Sequence, residues 1–290
     1  MQIFVARYKG FPPHSGGGKL SPKVTEEGEK LKGVNTMKIK ETAKIVSAAN
    51  LAEGIYSLVL KTAASQYAIP GQFINIFSND GSKILPRPIS ICEIDKAQGT
   101  LRVVYRVVGK GTEEFSKLQA GDTVEVLGPL GNGFPLEEGK AIVVGGGIGV
   151  PPMLELAKEL TGDVTAVLGY RTDDLFLADD FIDAAAEVVF ATDDGSVGVH
   201  GTVVDAMKEN DLKADVIYAC GPKPMLKSVA EYADSIGAKC YVSMEERMAC
   251  GVGACLGCVC QSKEVDNHSH VNNKRVCKDG PVFLSTEVVL

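Results

Sequence analysis

Cys250, Cys255 and Cys258 read C-x₄-C-x₂-C within MACGVGACLGCVC, and Cys277 follows at a distance. This is the plant-type spacing of thiolates that hold a [2Fe–2S] cluster. Gly251, Gly253 and Gly257 stand between the ligands. A loop wrapped round a cluster needs residues that accept positive φ at little steric cost. It also needs backbone N–H groups free to face sulfur. Such a centre moves electrons one at a time, so the rest of the chain has to supply or receive them. A zinc site and a disulfide framework are the other readings of these cysteines. Zinc usually takes two C-x₂-C pairs or mixed Cys/His pairs; one C-x₂-C pair occurs here, and His268 and His270 lie on a polar stretch. Disulfides need an oxidising compartment, and no export signal is visible. Cys260 follows Cys258 by two residues and could be a further ligand; it is read as packing. Cys92 and Cys240 read as small buried hydrophobes.

Upstream lie further groups suited to cofactors. Val144-Gly145-Gly146-Gly147-Ile148-Gly149-Val150-Pro151-Pro152 follows a strand and opens a helix. Gly145, Gly146, Gly147 and Gly149 would let a dinucleotide pyrophosphate approach the backbone at the helix N-terminus. Proline stands where the third glycine of G-x-G-x-x-G would be, and a structural βα turn is the alternative. Cys220-Gly221-Pro222 ends a predicted parallel strand, where ligands of open α/β sheets bind. There Cys220 could pack beside a nicotinamide, or could simply be a buried thiol. Asp193, in Thr192-Asp193-Asp194-Gly195-Ser196, could accept from a ribose 2′-hydroxyl and so favour NAD over NADP. The same string makes a surface turn, and Arg171 leaves room for a 2′-phosphate. In the β-rich half, Arg87 of Arg87-Pro88-Ile89-Ser90 could fork onto a diphosphate, and Ser90 could bond a flavin ring nitrogen. Val104-Tyr105-Arg106 and Gly111-Thr112 offer an aromatic face, a second cation and a helix N-terminus. Each of these elements alone is ordinary.

The elements that must position these groups fall into two patterns. From Met37 to about Leu136, short β-rich runs (Ile45–Ser47, Ile55–Lys61, Phe73–Phe77, Ile89–Glu93, Leu101–Val108, Thr123–Leu127) alternate with turns, and one helix is placed at Thr112–Leu118. This predicts an antiparallel barrel or sandwich. From Lys140, strands at Ala141–Val144, Val164–Tyr170, Glu187–Ala191, Asp215–Cys220 and Cys240–Ser243 alternate with helices at about Pro151–Leu160, Ala178–Ala186, Val203–Glu209 and Pro224–Ile236. That is a parallel α/β sheet ending at Cys240–Ser243. With 290 residues, 45% hydrophobic, the chain can bury a sizeable core. A net charge of −7 argues against nucleic acid or an anionic membrane as partner. No apolar run reaches the ~20 residues of a bilayer span, so a soluble, cytoplasmic location is expected. Residues 1–36 form a Pro/Gly/Ser-rich extension. Codons for Lys32-Gly33 can carry a ribosome-binding sequence just ahead of Met37, so Met37 is expected to be the true start; a disordered tail is the alternative.

Together these strings resemble the ferredoxin reductase superfamily, and within it the electron-transfer subunits of type B (NAD-linked) dihydroorotate dehydrogenase. GPLGNGFPL, VVGGGIGVPPM, ATDDGS, SMEERMACGVGAC and VCKDGPVFL carry the resemblance, from about Met37 to Leu290. It implies an antiparallel FAD-binding β-barrel over 37–137, a parallel-sheet NAD-binding α/β domain over 138–240 and a C-terminal [2Fe–2S] lobe over 241–290. It assigns FAD contacts to Arg87, Pro88, Ile89, Ser90, Val104, Tyr105, Arg106, Gly111 and Thr112, and cluster ligation to Cys250, Cys255, Cys258 and Cys277. Val276-Cys277-Lys278-Asp279-Gly280-Pro281 supports Cys277 over Cys260, and the polar stretch Asp266–Lys274 reads as a lengthened loop. The implied work is a relay between NAD and the FMN of a separate dihydroorotate dehydrogenase catalytic subunit, in a heterotetramer of two of each. No acid or base of this chain is required, because cofactors carry the chemistry. Two rivals are the small subunit of an NADH-dependent ferredoxin:NADP oxidoreductase or sulfide dehydrogenase, and a non-catalytic module binding zinc and a nucleotide.

Overall fold

The computed structural model describes residues 37–265 and 270–290. The expectations for residues 1–36, for the start at Met37 and for His268 lie wholly or partly outside the described residues, as does much of the Asp266–Lys274 loop. Six antiparallel strands close a barrel: β1 (Ile39–Ala52), β2 (Ile55–Lys61), β3 (Phe73–Ile76), β4 (Arg87–Asp95), β5 (Thr100–Arg106) and β6 (Thr123–Leu130), in the order β1-β2-β5-β4-β3-β6. Ala43, Ile45, Leu58, Leu60, Ile74, Ile76, Ile91, Leu101 and Val103 fill it, every second residue pointing inward as the pleat requires. β1 is far longer than its predicted core of Ile45–Ser47. Its outward residues are mostly exposed, so alternation marks only the short buried stretch. Helix α1 (Lys110–Phe115) bridges β5 and β6.

The second sheet has seven strands in the order β10-β9-β8-β7-β11-β12-β15. The parallel members are β7 (Ala141–Gly146), β8 (Val164–Tyr170), β9 (Glu187–Thr192), β10 (Val199–His200), β11 (Val216–Cys220) and β12 (Lys239–Ser243). Helices α2 (Leu154–Glu159), α3 (Ala178–Ala184), α4 (Val203–Glu209) and α5 (Lys223–Ile236) connect them. Alternate residues of β7 serve opposite cores: Ile142 and Val144 face one side, Ala141 and Val143 the other. A strand buried on both faces reads as a continuous apolar run, which is why Ala141–Val144 was legible. The helix expected from Pro151 begins as a 3₁₀ turn, Pro151–Met153, and becomes α-helical at Leu154.

Beyond β12 come β13 (Val259–Gln261), β14 (Asn273–Arg275), helix α6 (Val276–Asp279) and β15 (Val282–Leu284). The sheet does not end at β12. β15 returns antiparallel, with Val242 opposite Phe283, so the cysteine-bearing lobe is stitched into the sheet. Cys258, Cys260, Val276 and Cys277 share one apolar cluster with Ile217, Val242 and the barrel residues Phe73 and Leu130.

Candidate functional site

The cysteine loop has the backbone its sequence demands. Gly251 and Gly253 sit at φ +68° and +86°, and Leu256 at φ +56°. These turns aim amides at sulfur. Val252 N and Ala254 N donate to Cys250 Sγ at 3.4 and 3.3 Å. Gly257 N donates to Cys255 Sγ, and Cys277 N to Cys258 Sγ, both at 3.4 Å. Among the described residues, no group of three or more metal-binding side chains gathers on one point; the four thiols would hold a cluster between them. Burial opposes ionisation of Cys250, but amide donors from Val252, Cys255 and Ala254 outweigh it and bring the thiol down to about 6. Burial and the Cys258 thiol push Cys277 up to about 12. A bound cation reverses that second shift, since a coordinating thiol is deprotonated outright. An all-thiolate set with N–H donors already turned to sulfur therefore fits an iron–sulfur cluster. Cys260 is buried in the apolar cluster, with its backbone paired to Lys274, as the packing reading expects.

Arg87, on β4, lies against the start of α1: a Cβ on Gly111 would meet its guanidinium at 2.2 Å. The same guanidinium donates to the Leu85 carbonyl. Thr112 is buried, and its hydroxyl accepts from Val108 N and Gly109 N at 3.0 and 3.2 Å. It therefore builds the turn. Pro88 and Ser90 share the outer face of β4, while Ile89 packs against the barrel core. Tyr105 departs from expectation. Its side chain is 2% exposed and lies inside the barrel, stacked at 6.3 Å on Tyr56 and edge-on at 6.2 Å to Phe115. The period of two explains this: on β5 the outer positions are Val104 and Arg106, so the aromatic face is turned inward. Burial raises the Tyr105 hydroxyl well above the usual phenol range.

At the second sheet, β7 and β11 are the neighbours from which connections run in opposite directions, the switch point where open α/β sheets bind ligands. Gly145 pairs with Cys220 across it. The approach is close enough to require glycine: a Cβ on Gly149 would sit 2.3 Å from the Cys220 carbonyl oxygen. Gly147 takes φ +54°, and the nearest atom to a Cβ there is Arg106 Nη2, at 4.0 Å. Arg106, at the end of β5, thus stands beside the glycine loop. Cys220 is half-buried, and burial pushes its thiol up to about 12. It stays a neutral thiol, suited to contact rather than attack. Asp193 is exposed, its N–H held by Tyr170 O at 3.1 Å. Asp194 instead closes the turn, accepting from Ser196 N at 3.0 Å, and Asp194 N donates to Arg171 O at 3.2 Å.

Residues 245–289 match the iron-sulfur cluster binding domain of dihydroorotate dehydrogenase B, and residues 37–134 match the oxidoreductase FAD-binding domain. Over 260 residues the chain is 45% identical to the electron transfer subunit of dihydroorotate dehydrogenase B (NAD⁺) from Geobacillus kaustophilus (strain HTA426), covering 87% of this chain and 99% of that protein. The chain belongs to this family. The subunit of the same name from Streptococcus mutans (serotype c, strain ATCC 700610 / UA159) is 43% identical over 261 residues, covering 88% of this chain and all of that protein (100%). Among solved structures, the NADH-dependent reduced ferredoxin-NADP oxidoreductase studied for flavin-based electron bifurcation aligns with a TM-score of 0.76 and 32% identity, over 85% of this chain and 89% of that one.

Membership gives the cysteine lobe to iron and sulfide rather than to zinc, and the barrel to FAD. Three residues that mattered were not singled out from the sequence. Asn75 Nδ2 donates to the Cys250 carbonyl at 3.1 Å. Asn132 N donates to Gly280 O at 2.7 Å, and its Nδ2 to Asp279 O at 3.0 Å. Met225 packs between Gly146 and Gly221, whose Cβ atoms would meet its Sδ and Cε at 2.3 and 2.5 Å. Asn132 lies inside GPLGNGF and Gly280 inside VCKDGPVF, so two strings that resembled the family separately touch in space.

Proposed function

We propose that this chain is the electron-transfer partner of an FMN-containing dihydroorotate dehydrogenase catalytic subunit, assembled as two of each in the cytoplasm, and that it passes electrons between that FMN and NAD⁺. When bound, FAD exchanges electron pairs with the nicotinamide and single electrons with the cluster, which relays them to the partner. The chain's residues bind, space and orient. Arg87 supplies a fixed cation for the flavin diphosphate beside Gly111. Pro88 and Ser90 present the outer face of β4 to the ring, with Ile89, Val104, Arg106 and Thr112 shaping its surround. Tyr105 contributes through its backbone and through the core behind it. Gly145, Gly146, Gly147 and Gly149 admit the NAD pyrophosphate. Cys220 and Gly221 leave room for the nicotinamide, and Asp193 receives the ribose. Cys250, Cys255, Cys258 and Cys277 hold the cluster.

The observation that carries this reading is the double fastening of the cysteine lobe to the flavin barrel. Asn75 ties the Cys250 loop, and Asn132 ties the segment after Cys277. A regulatory zinc module needs no such fixed spacing; electron transfer does, because its rate falls steeply with distance. The test is anaerobic reconstitution with the catalytic subunit. The protein is expected to contain FAD, two irons and two sulfides per chain, and to support dihydroorotate-dependent reduction of NAD⁺. Loss of that reduction while ferredoxin- and NADP-linked turnover proceeds would favour the second reading, suggested by the likeness to the ferredoxin-NADP oxidoreductase.

A further inference from the structure

Asn75 occupies an otherwise apolar strand, Phe73-Ile74-Asn75-Ile76, and is 1% exposed. It pairs with Pro88 across the β3–β4 ladder, and Phe73 pairs with Ser90. Directly opposed residues of an antiparallel pair share a face. Ile74 and Ile76, out of phase, fill the barrel. Asn75 therefore stands on the outer face beside Pro88 and Ser90, the face given above to the flavin. It also touches the cluster loop. Nδ2 donates to the Cys250 carbonyl at 3.1 Å, and a Cβ on Gly251 would come within 2.5 Å of that nitrogen. The other end of the amide, Oδ1, is buried and has no hydrogen-bond partner. A buried acceptor left unmatched is destabilising. An unmatched acceptor on the face given to the flavin points to a donor from outside the chain.

We propose that Asn75 is a positioning residue coupling the two redox sites. Nδ2 fixes the Cys250 loop, and Oδ1 accepts a hydrogen bond from an N–H or O–H of the bound flavin. Flavins offer such donors on the ring and on the ribityl chain. The inference rests on the flavin and cluster reading of the preceding section. Filling the flavin site then restrains the Asn75 amide, and through it the backbone that carries the first cluster ligand. The cluster loop is held most firmly when its neighbouring redox partner, the flavin, is in place.

The wild-type, full-length, cluster-loaded protein tests this by anaerobic hydrogen–deuterium exchange with and without FAD. FAD is expected to slow exchange in residues 248–255 at least threefold, with residues 259–261 and 273–275 unaffected. Asn75→Leu, with the same branching at Cγ but without polar atoms, should abolish that protection, weaken FAD binding about tenfold and speed iron loss to a chelator. Unchanged exchange in the wild type on adding FAD overturns the proposal, and it does so whether or not the variant folds. A folded Asn75→Leu protein that keeps the FAD-dependent protection also overturns it. A wild-type protein that binds no FAD at all defeats the functional reading itself, and the coupling with it.

Discussion

Gly149→Ala isolates the nucleotide site. The added methyl would lie 2.3 Å from the Cys220 carbonyl oxygen and 2.7 Å from Gly221 N. Both are backbone atoms at the end of β11, which is paired to β7 on one side and β12 on the other. Neither can swing aside as a side chain would. Overpacking of this kind costs about 1–3 kcal/mol. If the glycine loop moves to relieve the clash, it carries the pyrophosphate cradle with it, and roughly 5- to 150-fold weaker NADH binding follows at 1.4 kcal/mol per decade. Stopped-flow reduction of the bound flavin against NADH concentration reads this directly. FAD and iron content should stay at wild-type levels, because Gly149 touches neither Arg87 nor the four cluster cysteines. Gly147→Ala is the control. No atom lies nearer than 4.0 Å to its Cβ, but φ is +54°, so it carries the left-handed penalty of about 1–2 kcal/mol without the clash. A Gly149→Ala protein with wild-type NADH dependence, or one that loses FAD in parallel, would refute the placement of the nucleotide at this switch point.

Arg87→Ala removes the fixed cation beside Gly111 and is expected to weaken FAD retention by about 1.5–3 kcal/mol, the worth of a charge-assisted hydrogen bond; stoichiometric FAD after gel filtration would count against it. Cys255→Ser should lose the cluster yet keep NADH-driven flavin reduction, seen as absent iron–sulfur absorbance beside normal bleaching of the flavin. Burial raises the Glu155 carboxyl, with Ile94 N donating to it at 2.9 Å in opposition. An acid raised in the folded state contributes stability at low pH that is lost as pH climbs through its folded value. Glu155→Gln should accordingly raise Tm at neutral pH and flatten the decline above the ordinary carboxylate value of 4.5. Burial would likewise raise Glu93, but Lys158 and Arg102 outweigh it and lower it, so Glu93→Gln should lose stability at neutral pH and converge with the wild type as pH falls through that range. Thermal scans across pH check both.

The sites legible in the sequence were those whose chemistry is local. Four cysteines at ligand spacing need no tertiary information, and neither does a glycine loop between a buried strand and a helix. Tyr105 shows where local reading stops. Arg102, Val104 and Arg106 alternate with Val103 and Tyr105, so which set faces outward depends on register against β2 and β4, and the triplet Val104-Tyr105-Arg106 does not disclose it. β15 was missed for a related reason. Three residues after a glycine–proline turn carry too little pattern to announce a strand, and their pairing with β12 is set by the whole cysteine lobe. Asn75 did leave a signal, because asparagine is disfavoured in strands and here interrupts Phe73-Ile74-Asn75-Ile76. The signal says only that something unusual holds the residue there; the contact with Cys250 lies 175 residues away.

Those long-range contacts decide what kind of machine the chain can be. Among the described residues, the cysteine lobe shares its core: Cys258, Cys260 and Cys277 are buried in the same cluster as the central strands of the second sheet and as Phe73 and Leu130 of the barrel. Arg102 of the barrel reaches Asp180 on α3 at 3.0 Å, and Lys158 on α2 pairs with Glu93 of the barrel. Asn132 holds the segment following the last cysteine. A carrier that swings between donor and acceptor would keep its cluster on a lobe with a separate core and few fixed links. This chain does the reverse, binding barrel, sheet and lobe into one packed body. Electron passage therefore relies on spacings fixed by folding, and substitutions at the joints should slow transfer between cofactors even when every cofactor remains bound.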